Sequence, residues 1–241
     1  MSDSPTFPER KLALSKTKAI KIKAHRSDAF DHQLWAVNWL NTKRPALYNL
    51  YSKLVYPNVA KVGGRVLLKG VVTEKISGDD EFDRELLLIV RYQSVSNFLK
   101  MIGGKVFRLK SLLRTSSVSR FVFGFMNKIA GEGDTKNYPT AYDGDRHHLV
   151  HIFQTDKPDE QHHLFEKSAY MPTLYFYGLK AATVARLDKG GEKEAKCFVD
   201  GICIWQADSA QRLRNLVEMD DFKEFSEGNK TNSVYLFERT I

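Results

Sequence analysis

An echo at a fixed distance constrains this chain more than any other feature of its sequence. Pro57 and Gly63 return as Pro172 and Gly178, and 172 − 57 and 178 − 63 both give 115. The same step carries Leu34 to Leu149, Val37 to Ile152, Ile89 to Ile204, Ser94 to Ser209, Phe98 to Leu213, Phe107 to Phe222 and Phe121 to Leu236. Apolar positions and serines that keep one spacing over most of a chain point to two copies of one structural unit in tandem. The 241 residues, 42% of them hydrophobic, are enough to give both copies a core.

Each copy reads as strand, helix, strand, strand, helix, strand. In the first, Leu34 to Leu40 is apolar on both alternating faces, as in a strand covered on both sides, with Asn38 its polar exception. Leu47, Leu50, Tyr51, Leu54 and Val55 recur at helical spacing between Lys43 and Val62, with Pro57 bending or ending that helix and Gly63-Gly64 closing it. Strands follow at 65–76 and 85–92. Ser94 then caps a second helix with Phe98, Met101, Ile102 and Val106 facing inward, and a fourth strand spans 121–126. The second copy is expected as strand 149–153, helix 159–177, strands 179–187 and 198–205, helix 209–225 and strand 234–237. The domain plan is an N-terminal arm (1–32), a first ferredoxin-like repeat (33–129), a linker (130–146) and a second repeat (147–241).

The run Trp35-Ala36-Val37-Asn38-Trp39-Leu40, the stretch from Pro57 to Leu67 ending in Gly-Gly-Arg-Val-Leu, and Leu87-Leu88-Ile89-Val90-Arg91-Tyr92 before a serine-headed helix resemble the dimeric α/β-barrel superfamily, closest to its short members of unknown function. The second half is more like the EthD-type members. The resemblance implies an α+β fold in which two tandem ferredoxin-like βαββαβ repeats close a single-chain, pseudo-dimeric α/β barrel. It further implies a pocket for a small organic molecule, in a family that includes cofactor-free oxygenases, cyclases and isomerases and also haem-binding proteins. It carries no catalytic signature. The histidine that EthD-like members often place two residues before the helix proline is Tyr170 here, and Val55 in the first copy.

Asn38 and His151 are each polar within an apolar strand and are in phase under the 115-residue step, so both should face the lumen or both the helices. Facing the lumen, His151 could act as a general base, with Asn38 or Arg91 holding developing negative charge. Facing the helices, His151 is a core histidine satisfied by a carbonyl. Trp35, Trp39, Tyr92, Tyr170 and Trp205 are the aromatic candidates for contact with a flat ligand. His147 and His151 would stand about 13 Å apart on a strand, too far to share a metal ion. His162, His163 and Glu166 suit a shared ligand set on a helix, but a solvated helix start accounts for them equally. Cys197 and Cys203 would lie roughly 20 Å apart on a strand and cannot pair.

Residues 1–130 hold 23 Lys and Arg against 10 Asp and Glu, and residues 131–241 hold 14 against 19. This asymmetry suits either an anionic partner or the docking of one half on the other. Lys100, Lys105, Arg108, Lys110, Arg114 and Arg120 read as a solvated basic face. Nucleic acid is disfavoured, because no RNA-binding strand motif accompanies them. No apolar run reaches the roughly eighteen residues of a membrane span. The expectation is therefore a cytoplasmic protein with no membrane partner, no metal and no cofactor, monomeric with internal pseudo-two-fold symmetry or a dimer of that unit. Its ligand is a small apolar or aromatic molecule. The alternative is a non-catalytic binding or scaffold protein with a basic face for an anionic partner, and haem binding is a third reading.

Overall fold

The computed structural model describes residues 33–78, 80, 83–131, 147–156, 174–181 and 200–240, with backbone only for 127–131 and 174–181. Eight strands close one barrel: β1 (Leu34–Thr42), β2 (Arg65–Gly78), β3 (Leu86–Tyr92), β4 (Val118–Gly131), β5 (His147–Gln154), β6 (Leu174–Ala181), β7 (Gly201–Ala207) and β8 (Thr231–Arg239). Their order around the barrel is β1-β3-β2-β8-β5-β7-β6-β4. Within each half the order is fourth, first, third, second strand, that of a ferredoxin-like repeat. The barrel is the single-chain closure that the resemblance implied.

The halves join where β2 pairs with β8 and β4 with β6, both antiparallel, and each seam carries two register shifts. Such bulges bend and twist a strand, and barrel closure needs that curvature. Backbone pairing makes these joints. An ion pair between the halves, Arg214 Nη2 to Glu74 Oε2 at 2.6 Å, sets a cation of the acidic half against an acid of the basic half, and both side chains are exposed.

Helices α1 (Pro45–Lys61), α2 (Val95–Gly103) and α3 (Lys105–Ser117) cover the first half; α4 (Ala210–Val217) and α5 (Asp220–Glu227) are described in the second. Ser94 and Ser209 accept from the amides of Asn97 and Arg212, so the predicted pair of serine caps is real. α1 runs through Pro57 to Lys61, longer than a helix-breaking proline suggests. Lys110 Nζ binds that turn from outside, donating to Leu54 O at 2.7 Å and Asn58 Oδ1 at 2.6 Å. Gly63, at φ +72°, then closes α1, its amide donating to Ala60 O.

The duplication is looser than one constant step. Gly178 lies inside β6, whereas Gly63 ends a helix, so the pair is not structurally equivalent; Pro172 lies outside the described residues. In β2 Leu68 faces Ile89, and in β6 Leu174 faces Ile204, which reduces the step to 106 at that strand. The helix expected over 159–177 therefore yields its last four residues to β6. Leu-Tyr-Phe-Tyr is a sequence whose aromatic rings suit a pleated surface at least as well as a helix stripe. Each expected second helix is broken in two, at Gly104 and at Glu218-Met219, and Val106 is exposed, not inward.

Gly70 sits at the β2–β8 seam opposite Arg239, where a Cβ would strike the Glu238 carbonyl oxygen and the Phe237 ring. Gly103, at the end of α2, has open space around that position. Gly70→Ala should lower unfolding free energy by about 1–3 kcal/mol in urea titrations, while Gly103→Ala should be neutral or slightly stabilising. Equal midpoints for the two variants would contradict the seam geometry.

Candidate functional site

Strand alternation sorts the described side chains into three compartments. Towards the lumen, seven strands contribute to one apolar cluster that includes Trp35, Val37, Trp39, Leu68, Ile89, Ile204, Tyr235 and Phe237. Trp39 and Tyr235 meet across it with ring centroids 5.4 Å apart. Outside the barrel, α4 and α5 pack on Leu149, Phe153, Cys203, Trp205, Val234 and Leu236. On the first half's outer face, Ala36, Leu40, Val90, Tyr92 and the Phe121, Phe123 and Phe125 ladder meet the helices.

The predicted site residues fall into all three. Trp35, Trp39 and Arg91 are on the lumen side, with Arg91 in register between Trp35 and Arg65. Asn38 and Tyr92 face the first half's helices; His151 and Trp205 face the second half's. Tyr170, His162, His163, Glu166 and Cys197 lie outside the described residues. Asn38 and His151 thus share the helix-side phase, as the step predicts, but each lies beneath its own half's helices and the two are not brought together.

His151 has the environment of a core residue. Phe153, Phe222 and Phe225 surround its ring with centroids 5.1–5.3 Å away, and Trp205 stacks at 6.5 Å. Its Nε2 lies 2.7 Å from Asn232 Oδ1. Asn232 Nδ2 donates to Ser226 O, which turns Oδ1 toward the ring, so the imidazole is neutral with its proton on Nε2. Burial pushes its pKa down to about 4, the Asn232 bond opposing weakly. A ring with no solvent exposure, sealed by aromatics, reaches no ligand in the lumen. Cys203, its cross-strand partner, is buried filler whose thiol burial pushes up.

Space for a ligand exists elsewhere, between the first half's sheet and α1, α2 and α3. This cleft has a volume of about 1160 Å³. Its floor is Ala36, Asn38, Lys69, Leu88, Val90 and Phe123; α1 contributes Tyr51, Val55 and Val59, and α2 Phe98 and Met101. Among the described residues four cations, Lys53, Lys69, Arg108 and Arg114, line it, and no Asp, Glu, His or Cys does. Asn38 Nδ2 donates to Leu88 O at 3.3 Å, so its amide is partly engaged. Burial raises the Tyr51 and Tyr92 phenols above their ordinary value, leaving them as neutral donors.

Two of the cations are unusual. Arg114 is 8% exposed, lies beside the Tyr51 phenol and 4.9 Å over the Phe121 ring, but no carboxylate among the described residues pairs with it. Lys69 is half-buried, and desolvation holds its ammonium pKa below the usual value. A bulge between Val66 and Leu68 puts Lys69 here: it adds one residue to β2, so Lys69 comes alongside Leu88 on the helix side, not among the lumen residues. Arg114 was read from sequence as part of a solvated face, and the burial of Ser111, Arg114 and Ser117 on one side of α3 corrects that. A row of two serines and one arginine three residues apart was the signal available.

No family model matches the chain, and no curated protein sequence does. Solved structures of similar shape exist. An anthrone oxidase-like protein superposes with TM-score 0.51 at 14% identity, covering 88% of this chain and 93% of its own. A candidate monooxygenase from Lactobacillus acidophilus NCFM gives 0.47 at 10%, covering 86% and 94%. A chlorite dismutase variant from Candidatus Nitrospira defluvii gives 0.45 at 11%, covering 87% and 91%. At such identities the likeness is one of fold alone, an α+β barrel of ferredoxin-like halves.

The neutral His151 makes the protein acid-sensitive in a defined window. Its folded pKa, about 4, lies below the ordinary 6.5, so between these values the unfolded chain binds the extra proton and stability falls as pH falls. The loss from pH 7 to 4 should be on the order of 3 kcal/mol from this group. His151→Phe should flatten the slope of unfolding free energy against pH in that window; an unchanged slope would show that other groups control it.

Proposed function

We propose that the protein binds a small amphipathic organic anion in the first-half cleft, its apolar or aromatic body against Phe98, Met101 and Val55 and its acid group at Arg114 and Lys69. The carrying observation is a nearly buried guanidinium with no carboxylate partner in a cleft whose lining contains no acid. A cation removed from water needs a counter-charge, and a carboxylate, phosphate or sulfonate with a hydrocarbon body supplies both halves of the match.

Binding accounts for the arrangement better than turnover does. The proposed base, His151, serves the core of the other half, and the cleft offers phenols that burial keeps protonated in place of a group that ionises near neutral pH. The oxygenase, cyclase or isomerase reading would place the ligand in the lumen, where the Trp39 and Tyr235 rings already meet across the apolar cluster. We therefore favour a carrier or sensor of an organic acid.

Isothermal titration with dodecanoate and 2-naphthoate, each against its methyl ester, tests the reading. The acids should bind, the esters should bind about tenfold or more weakly, and Arg114→Met should remove about 10- to 100-fold of the acids' affinity with little effect on the esters. Equal binding of acid and ester, or an Arg114→Met variant that is folded and binds like wild type, would refute it.

A further inference from the structure

The helix layer around the cleft is built inside out. α3 buries Ser111, Arg114 and Ser117 and presents Val106, Leu109 and Leu112, three residues apart, to solvent at 61%, 69% and 53% exposure. α1, on which α3 packs, presents Leu50, Leu54 and Tyr56. These are six of the seven large apolar side chains exposed among the described residues. A surface helix ordinarily turns such a stripe toward the core, so an outward stripe implies that something covers it.

Charge identifies what. Not one Asp or Glu occurs in α1, α2 or α3, and seven Lys or Arg do. In the second half, α5 alone carries Asp220, Asp221, Glu224 and Glu227. A second copy of this face would bring cations against cations, which disfavours self-association there. Nucleic acid would satisfy the cations, but Leu50, Val106 and Leu109 have neither the ring faces that stack bases nor hydrogen bonds for phosphate. Aliphatic side chains interleaved with cations match the boundary between anionic headgroups and acyl chains.

We infer that the outer face of α1 and α3 docks on an anionic lipid surface, with Leu50, Val106 and Leu109 entering the acyl boundary and Lys53, Lys105 and Arg108 meeting the headgroups. No described helix is long and apolar enough to cross a membrane, and none needs to, because the helices lie on the surface. Leu109, Leu112, Tyr56 and Arg108 also line the cleft, so its mouth opens onto the docked face. The inference stands on the surface alone and does not require the ligand assignment.

Vesicle co-sedimentation tests it, comparing phosphatidylcholine alone with an equal mixture of phosphatidylcholine and phosphatidylglycerol. The full chain should bind the mixed vesicles, at least tenfold more weakly at high salt, and should not bind phosphatidylcholine. The double variant Leu50→Asp, Val106→Asp should lose at least tenfold of that binding, and so should Lys105→Glu. None of these residues lines the cleft, so dodecanoate binding should persist in the variants. Failure to bind the mixed vesicles, equal binding to both compositions, or wild-type binding by the double variant would overturn the docking face. Single-stranded RNA binding that survives Leu50→Asp, Val106→Asp while vesicle binding is absent would overturn it in favour of a nucleic-acid face. A dimer in sedimentation velocity that the same variant dissolves, again without vesicle binding, would overturn it in favour of a second copy.

Discussion

Closure of the barrel by backbone pairing at β2–β8 and β4–β6 is the constraint from which the other features follow. Every described strand has neighbours on both sides, so no edge is exposed and the alternation of side chains has to serve two interiors. One interior is the lumen, where seven strands supply a common apolar cluster. The other is the layer beneath the helices. Asn38, Lys69 and His151 fall in that second layer, while Arg91 and His148 stand on the lumen side.

The two helix layers handle that load differently. In the second half α4 packs directly on β5 and β7, and four aromatic rings together with Asn232 take up His151. In the first half the break at Gly104 separates α2, which lies on β3, from α3, which packs chiefly on α1. A helix that rests on another helix stands off the sheet. The gap beneath it is the cleft, and Lys110, bound to α1 at Leu54 and Asn58, fixes the distance between the two helices. α3 has 13 residues where α5 has 8, and that extra length carries Arg114 and Ser117.

The fold was legible because it is written in apolar alternation and in caps, both local signals. Ser94 and Ser209, the two-sided strands and the glycine closing α1 were all readable. Spacing failed where the copies differ in length, so that Gly178 was matched to a helix end although it lies in β6. The site was much less legible, because the face a strand residue occupies depends on register, and a single bulge reverses it. Lys69 could not be placed without knowing that β2 gains a residue between Val66 and Leu68. Arg114 was counted among surface cations because composition cannot show that α3 turns its polar side inward. His151 was correctly seen as anomalous, but its phase left two compartments open, and five surrounding groups, none near it in chain order except Phe153, decide between them.

A guanidinium held among Tyr51, Phe121 and the cleft's apolar wall lowers stability relative to a leucine or methionine of similar length, because its lost hydration is only partly replaced by one phenol and one ring face. Folding alone gives no reason to place a cation there, and Lys69 repeats the arrangement on the facing sheet with its charged form disfavoured by the same burial. Two such costs on opposite sides of one cavity add in the empty state and are offset together when a single anion enters between them. On the proposed reading, the stability forgone in the empty protein would be recovered as affinity, which would tie the strength of binding to negative charge and not to shape alone. An apolar cleft open at a surface already rich in leucine would otherwise accept any hydrophobic molecule; on the proposed reading, the buried Arg114 and half-buried Lys69 would favour molecules with an acid group.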